Sequence, residues 1–329
     1  MIHRPPSVPP ETNQQSMAGT WFLTPTPFDQ TGEVDVPSLR GLVDRAVDWG
    51  VDGLTVMGVM SEPGTLTDGE RTLALRAIFE AVAGRIPVIV GCSAAGAPVA
   101  IARAREAREL GAIAAMVSAP PLLRNLDQLP AFFATVARDG GLPLVIQDEP
   151  AATGVMIPVT VLLASASASG ARCIKVEDPP TPPKIRLLLA ADPELALFGG
   201  LGGISALHEL GHGAAGTMTG FALPEVMLAI RLAVAAGRLD QAAQTFDRFL
   251  PLIVFEGQPG IGLAIRKEVL RRRGAIATSR TRGQPAEADE VTRADLDGVL
   301  DRVGIRLGPE RLIVGGDEAD PRPIAASAR

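Results

Sequence analysis

The chain has 329 residues, 47% of them hydrophobic and 21% charged, with a formal net charge of −6. That suits one large α/β domain or two smaller ones with a substantial core. The acidic balance excludes a basic footprint for nucleic acid, and no apolar run reaches the ~20 residues that span a bilayer.

Residues 1–18 form a Pro-rich polar arm that is expected to be disordered, with Met17 as an alternative initiator. The arm holds no signal-peptide apolar region, so a cytoplasmic location is the default expectation. Thr20–Thr24 reads as a strand, and Asp35–Trp49 then shows apolar residues at helical spacing. Gly53–Gly58 is a second strand, followed by a helix over Asp68–Ala83 that Thr67 or Asp68 can cap. The rhythm continues with strand Pro87–Gly91, helix Ala97–Leu110, strand Ile113–Ser118 and helix Leu126–Arg138. Strand Pro143–Gln147, helix Val159–Ala168, strand Cys173–Val176 and helix Pro182–Ala191 follow. Strand Leu195–Phe198, helix Ile204–Leu210, strand Ala215–Thr219 and helix Pro224–Ala236 complete eight strand–helix units. The strands are short and almost uninterruptedly apolar, as strands buried on both faces are. This predicts a (β/α)8 barrel over 19–237; a doubly wound sheet would show a Gly-rich first turn, which Pro25-Thr26-Pro27-Phe28 is not.

Beyond Gly237 the strands stop. Leu239–Phe249, Ile261–Arg273 and Thr292–Val303 predict a small helical domain over 238–308, beside the barrel, with a flexible tail over 309–329. Arg271-Arg272-Arg273 closes a helix, where cations suit the dipole. Cys92 and Cys173 give no disulfide framework and no zinc spacing, and both read as buried thiols.

Of 31 basic residues only three are lysines: Lys175, Lys184 and Lys267. Lys175 ends a strand at the barrel's C-terminal rim, where barrel chemistry gathers. An amine can lose its proton and attack a carbonyl, whereas a guanidinium cannot. Lys175 is therefore the candidate for a Schiff base, against the plainer reading of a strand-end lysine reaching solvent. Glu177, two residues on, can point the same way and act as acid/base or hold the ammonium, or it can face water. His208-Glu209-Leu210-Gly211-His212 fits the zinc-protease spacing His-Glu-x-x-His. Gly211 and Gly213 suggest that this helix is ending, and no third ligand follows, so no metal is expected.

These residues resemble the family of dihydrodipicolinate synthase and N-acetylneuraminate lyase. The likeness is carried by Leu23-Thr24-Pro25-Thr26-Pro27-Phe28-Asp29, Gly58-Val59-Met60-Ser61-Glu62, Ile174-Lys175-Val176-Glu177 and Gly213–Thr219. It runs from about Gly19 to Gly304. The resemblance implies a class I lyase acting on a small 2-keto acid through a covalent imine on Lys175. It implies no other cofactor, and a homo-oligomer, dimer or tetramer. The departures are specific. The family's Tyr-Asn-x-Pro becomes Gln147-Asp148-Glu149-Pro150, and the chain has no Tyr at all. The Thr pair of the glycine–glutamate turn becomes Val59-Met60, an Arg of the synthases falls near Ala152, and their Tyr pair reads Pro121-Leu122. Gln147-Asp148-x-Pro150 with Lys175-x-Glu177 looks like the subgroup of 2-keto-3-deoxy-sugar-acid dehydratases. Lys175, Glu177 and Gln147 are then the expected catalytic residues, the proton shuttle being Glu177, Glu62 or a water held by Gln147. Substrate contacts are expected from Gly58, Val59, Met60, Ser61, Glu62, Thr24, Ser93, Gly200 and Thr217, with Thr219 and Ser205 beside them. Pyruvate condensation of the 4-hydroxy-tetrahydrodipicolinate synthase type, or a non-catalytic binding barrel, are the alternatives.

Overall fold

The computed structural model of the chain describes residues 17–283 and 285–314. The expected disordered arm up to residue 16 and the tail from residue 315 lie outside the described residues. Eight strands, β1 (Gly19–Leu23), β2 (Gly53–Val56), β3 (Val88–Gly91), β4 (Ala114–Ser118), β5 (Leu144–Asp148), β6 (Cys173–Val176), β7 (Ala196–Gly199) and β8 (Gly216–Thr219), pair in parallel and in chain order. β8 closes on β1 with Thr217 opposite Thr20, so the chain is a (β/α)8 barrel. Strand alternation sorts the side chains. Trp21, Ile89, Met116, Val145, Cys173, Phe198 and Met218 fill the interior, while Phe22, Leu54, Val90, Val117, Ile146, Ile174 and Leu197 face the helices. Both thiols are buried, and burial pushes Cys92 up to about 12 and Cys173 upward as well.

The intervening helices are α1 (Val36–Asp48), α2 (Asp68–Val82), α3 (Ala97–Leu110), α4 (Leu129–Gly140), α5 (Pro150–Thr153), α6 (Val159–Ser169), α7 (Thr181–Ala191), α8 (Ala206–Gly211) and α9 (Pro224–Ala235). Thr67 and Glu70 start α2 with a reciprocal capping box. α5 is a single turn that periodicity cannot predict. It forms because the Glu149 side chain accepts a hydrogen bond from Ala152 N at 2.9 Å.

Three further helices follow: α10 (Leu239–Glu256), α11 (Gly262–Arg272) and α12 (Glu290–Val303). α10 continues past Phe249, where Pro251 predicts its end. Pro251 is exposed while Leu252, Ile253 and Glu256 are buried, so packing outweighs the lost backbone bond. The packed residues also reach past the expected boundaries at residues 18 and 309. Met17 is 7% exposed and joins the barrel interior, and Val314 is 2% exposed against the main core. The Arg271–Arg273 run is held by side chains rather than by a helix dipole alone. Arg271 and Arg272 both bond Glu268, and Arg273 is buried against Glu225. No described helix is long and apolar enough to cross a membrane.

Candidate active site

β6 turns Cys173 and Lys175 inward and Ile174 and Val176 toward the helices. Lys175 is 2% exposed, and its Nζ lies 3.0 Å from Glu177 Oε2. Register places Gln147 of β5 beside Lys175, and Gln147 Nε2 donates to the same Oε2 at 2.8 Å. Leu201 N donates to Glu177 Oε1 at 3.2 Å. Glu177 is thus 7% exposed and fully engaged rather than facing water. Gly200 permits this packing, because a Cβ there would lie 2.2 Å from Glu177 Oε1.

The Lys175–Glu177–Gln147 cluster opens onto a cavity of about 540 Å³ that Val59, Met60, Glu149, Thr219, Ile253, Gln258 and Arg266 also line. A neighbouring cavity of about 340 Å³ shares Val59, Gln147 and Glu149 and extends to Gly58 and Ser93. The barrel mouth is therefore walled on one side by α10 and α11, which the sequence predicts only as a domain beside the barrel.

The remaining expected contacts separate into two groups. Gly58, Val59, Met60, Ser93 and Thr219 line one cavity or the other. Ser93 Oγ is already bound by Ser118 N at 3.0 Å. Thr24, Ser61, Glu62, Gly200, Thr217 and Ser205 line neither cavity. Ser61 Oγ donates to Thr24 O at 2.6 Å, so that pair fastens the β1 and β2 loops together. Glu62 Oε1 takes an ion pair from Lys267 Nζ at 2.6 Å, and its Oε2 takes Arg282 N at 2.8 Å. Glu62 is consequently an anchor for the C-terminal segment, and neither of its oxygens is left for a proton relay.

The other two lysines correct the weight of lysine scarcity as a signal. Lys184 is 9% exposed and Lys267 0%. Lys184 Nζ meets Asp148 at 2.6 Å, Asp178 at 2.7 Å and Ile157 O at 2.7 Å. All three lysines are thus compact cations buried against carboxylates, and what distinguishes Lys175 is that it opens on the cavity. In the His-Glu-Leu-Gly-His stretch, His208 and His212 are exposed, while Glu209 is buried and accepts from Thr181 Oγ1 at 2.5 Å. Its other oxygen packs against Gly199, where an added Cβ would lie 1.7 Å away. Among the described residues no group of three or more His, Cys, Asp or Glu side chains is placed to hold a metal ion.

The carboxyl side chain of Glu149 in the mouth goes unselected by the sequence motifs. Glu149 lines both cavities. Burial, and next the charge of Glu177, push its carboxyl up to about 7. Among the described residues only the hydrogen bond from Ala152 N occupies it, through Oε2. An ionisable residue immediately after a strand end is the signal that could have found it. Asp148, one residue earlier, faces the other way toward Lys184 and is raised to about 6 by its burial.

The sequence matches the dihydrodipicolinate synthetase family over residues 17–301. It is 35% identical over 294 residues to L-2-keto-3-deoxyarabonate dehydratase of Azospirillum brasilense, covering 87% of this chain and 94% of that one. It is also 35% identical over 236 residues to 4-hydroxy-tetrahydrodipicolinate synthase of Xanthomonas axonopodis pv. citri, covering 69% and 76%. Among solved structures, dihydrodipicolinate synthase from Rhodopseudomonas palustris superposes with a TM-score of 0.83 at 32% identity, over 88% of this chain and 98% of that one.

Proposed function

The chain belongs to the dihydrodipicolinate synthetase family, and on that premise we propose that this lyase works through an imine between Lys175 and a 2-keto acid, with dehydration of a 2-keto-3-deoxy sugar acid as its reaction. The supporting observation is a buried primary amine, 3.0 Å from a carboxylate, that opens on a cavity at the C-terminal rim of the barrel. In this scheme Lys175 passes a proton to Glu177 and attacks the keto carbon C2. The carbinolamine loses water, and the protonated imine becomes the electron sink. C3 then gives up a proton to Glu149, and the resulting enamine expels the C4 hydroxyl, which leaves as water with that proton. Hydrolysis of the imine consumes the one water that its formation released and frees Lys175. Gln147 cannot exchange a proton near neutral pH and serves to orient Glu177 through its amide.

Glu149→Gln is expected to lower kcat by about 10²–10⁴-fold. It is also expected to remove the acid limb of the kcat–pH profile, since Glu149 takes up a proton, and ceases to be a base, as pH falls through about 7. An unchanged acid limb in that variant would assign the proton transfer to another group.

The direct test is borohydride trapping with pyruvate and with 2-keto-3-deoxy pentonic and hexonic acids, followed by intact mass and peptide mapping. A reduced adduct on Lys175 is the expected result, and no adduct with any keto acid would overturn the imine. The synthase matched at the same 35% identity favours a second reading, pyruvate condensation. Turnover of pyruvate with an aldehyde, and none of the sugar acids, would establish that reading instead.

A further inference from the structure

We propose that Arg266, from α11 of the C-terminal helices, receives the carboxylate of the keto acid held at Lys175; this rests on the imine reading above. Arg266 lines the same cavity as Lys175 although it lies 91 positions further along the chain, and its side chain is only 11% exposed. Burial lowers its guanidinium from the ordinary value, while the charge of Glu256 and then that of Glu177 raise it.

What marks Arg266 is its unmet hydrogen-bonding capacity. A guanidinium carries five N–H donors, and a buried one is normally served by oxygen. Arg273 shows the ordinary case: Glu225 takes it bidentately, and Ala222 O and Glu310 O accept as well. Among the described residues Arg266 has one hydrogen bond, from Nη1 to the thioether of Met60 at 2.7 Å, and sulfur is a weak acceptor. Its ion-pair partner Glu256 keeps Oε2 at 3.6 Å from Nε, beyond hydrogen-bond distance, and that oxygen already accepts from Ala222 N at 3.1 Å. The buried Nε has no hydrogen-bond partner. Among the described residues no oxygen therefore accepts a hydrogen bond from this guanidinium.

The surroundings make an anion the fitting acceptor. Val59 and Met60 bring no hydroxyl to this wall of the cavity, and the Lys175 charge is matched by Glu177. Gly202, at φ +68, brings its backbone so close that a Cβ would lie 2.6 Å from Arg266 Nη2. The loop that fixes Glu177 through Leu201 N thus also fixes the guanidinium. A planar donor fork held beside a carbonyl-seeking amine is the geometry that recognises a 2-keto carboxylate.

The test compares pyruvate with hydroxyacetone, a ketone of similar size without a carboxylate, in borohydride trapping by the intact protein. The reading is the concentration that half-saturates the Lys175 adduct. For Arg266→Gln we expect that concentration to rise at least about tenfold for pyruvate, the loss of a charge-assisted pair, and to change less than about twofold for hydroxyacetone. Arg266→Lys should fall between. An equal change for both ketones, or none for pyruvate, would overturn the proposal, since a merely structural role cannot discriminate between them. If the wild type forms no adduct with either ketone, the imine itself falls, which separates the two failures. Should Arg266→Gln not fold, Arg266→Lys carries the same comparison, together with protection of Arg266 from phenylglyoxal by pyruvate in the wild type; absence of that protection counts against the proposal.

Discussion

Lys175→Arg is expected to abolish both the borohydride-trapped adduct and turnover, with kcat/KM falling on the order of 10⁴-fold or more, as for loss of other covalent nucleophiles. Arginine is the informative replacement because it preserves the positive charge opposite Glu177 while never losing its proton at working pH. Methionine would match the volume better. It would also leave Glu177, 7% exposed, without its ion-pair partner and hydrogen-bonded to just the Gln147 amide and Leu201 N among the described residues, confusing a folding defect with a chemical one. Lys184→Arg is the control. Lys184 is occupied by Asp148, Asp178 and Ile157 O on the helix side of the sheet, so that variant should keep the Lys175 adduct. Turnover by Lys175→Arg within tenfold of wild type would remove the imine from the reaction.

The largest expected effect on stability is at Arg273→Ala, with a loss of about 3–5 kcal/mol in denaturant unfolding. Arg273 is 1% exposed and its partner Glu225 2%. Nη1 lies 3.0 Å and Nη2 2.5 Å from the two carboxylate oxygens, and the guanidinium stacks 3.8 Å from the Trp49 ring centroid. Removing the cation leaves a buried carboxylate without its counter-ion and opens a cavity beside Trp49 at the same time. Replacing both partners by Met and Leu should recover only part of the loss, because Ala222 O, Glu310 O and Leu312 N lose polar partners too. An unfolding free energy for Arg273→Ala within 1 kcal/mol of wild type would show that solvent or another group reaches Glu225. Since this pair joins α9 to the end of α11, the cost should appear in the global transition rather than as fraying of the C-terminal helices.

The barrel was legible because its cause is local. Strands such as Ile113–Ser118 are apolar on both faces, each is followed by a helix-period segment with a start signal such as Thr67 before α2, and eight repeats leave little topological choice. Alternation likewise carried Lys175 and Glu177 to the same side of the sheet, as the structure has them. Helix ends went astray where tertiary packing overrides a local breaker, as at Pro251 in α10.

Partner choice was not legible, because burial pairs charges that no local pattern links. Glu62 and Ser61 belong to a turn whose motif points to substrate, yet Glu62 is consumed by Lys267, 205 residues away. Lysine scarcity pointed to Lys175, but all three lysines are buried against carboxylates, and only the cavity beside Lys175 sets it apart. Glu149 gains its raised carboxyl from the burial around it and from the charge of Glu177, which only the folded chain supplies. Arg266 is one of many arginines on an amphipathic helix until α11 folds across the mouth and leaves its donors facing the cavity. Periodicity and strand alternation are written residue by residue and determined the barrel and its inward lysine. The wall that α10 and α11 add, and the donors that stay unmet there, depend on which distant groups meet in a medium without water, and that is set only when the chain has closed on itself.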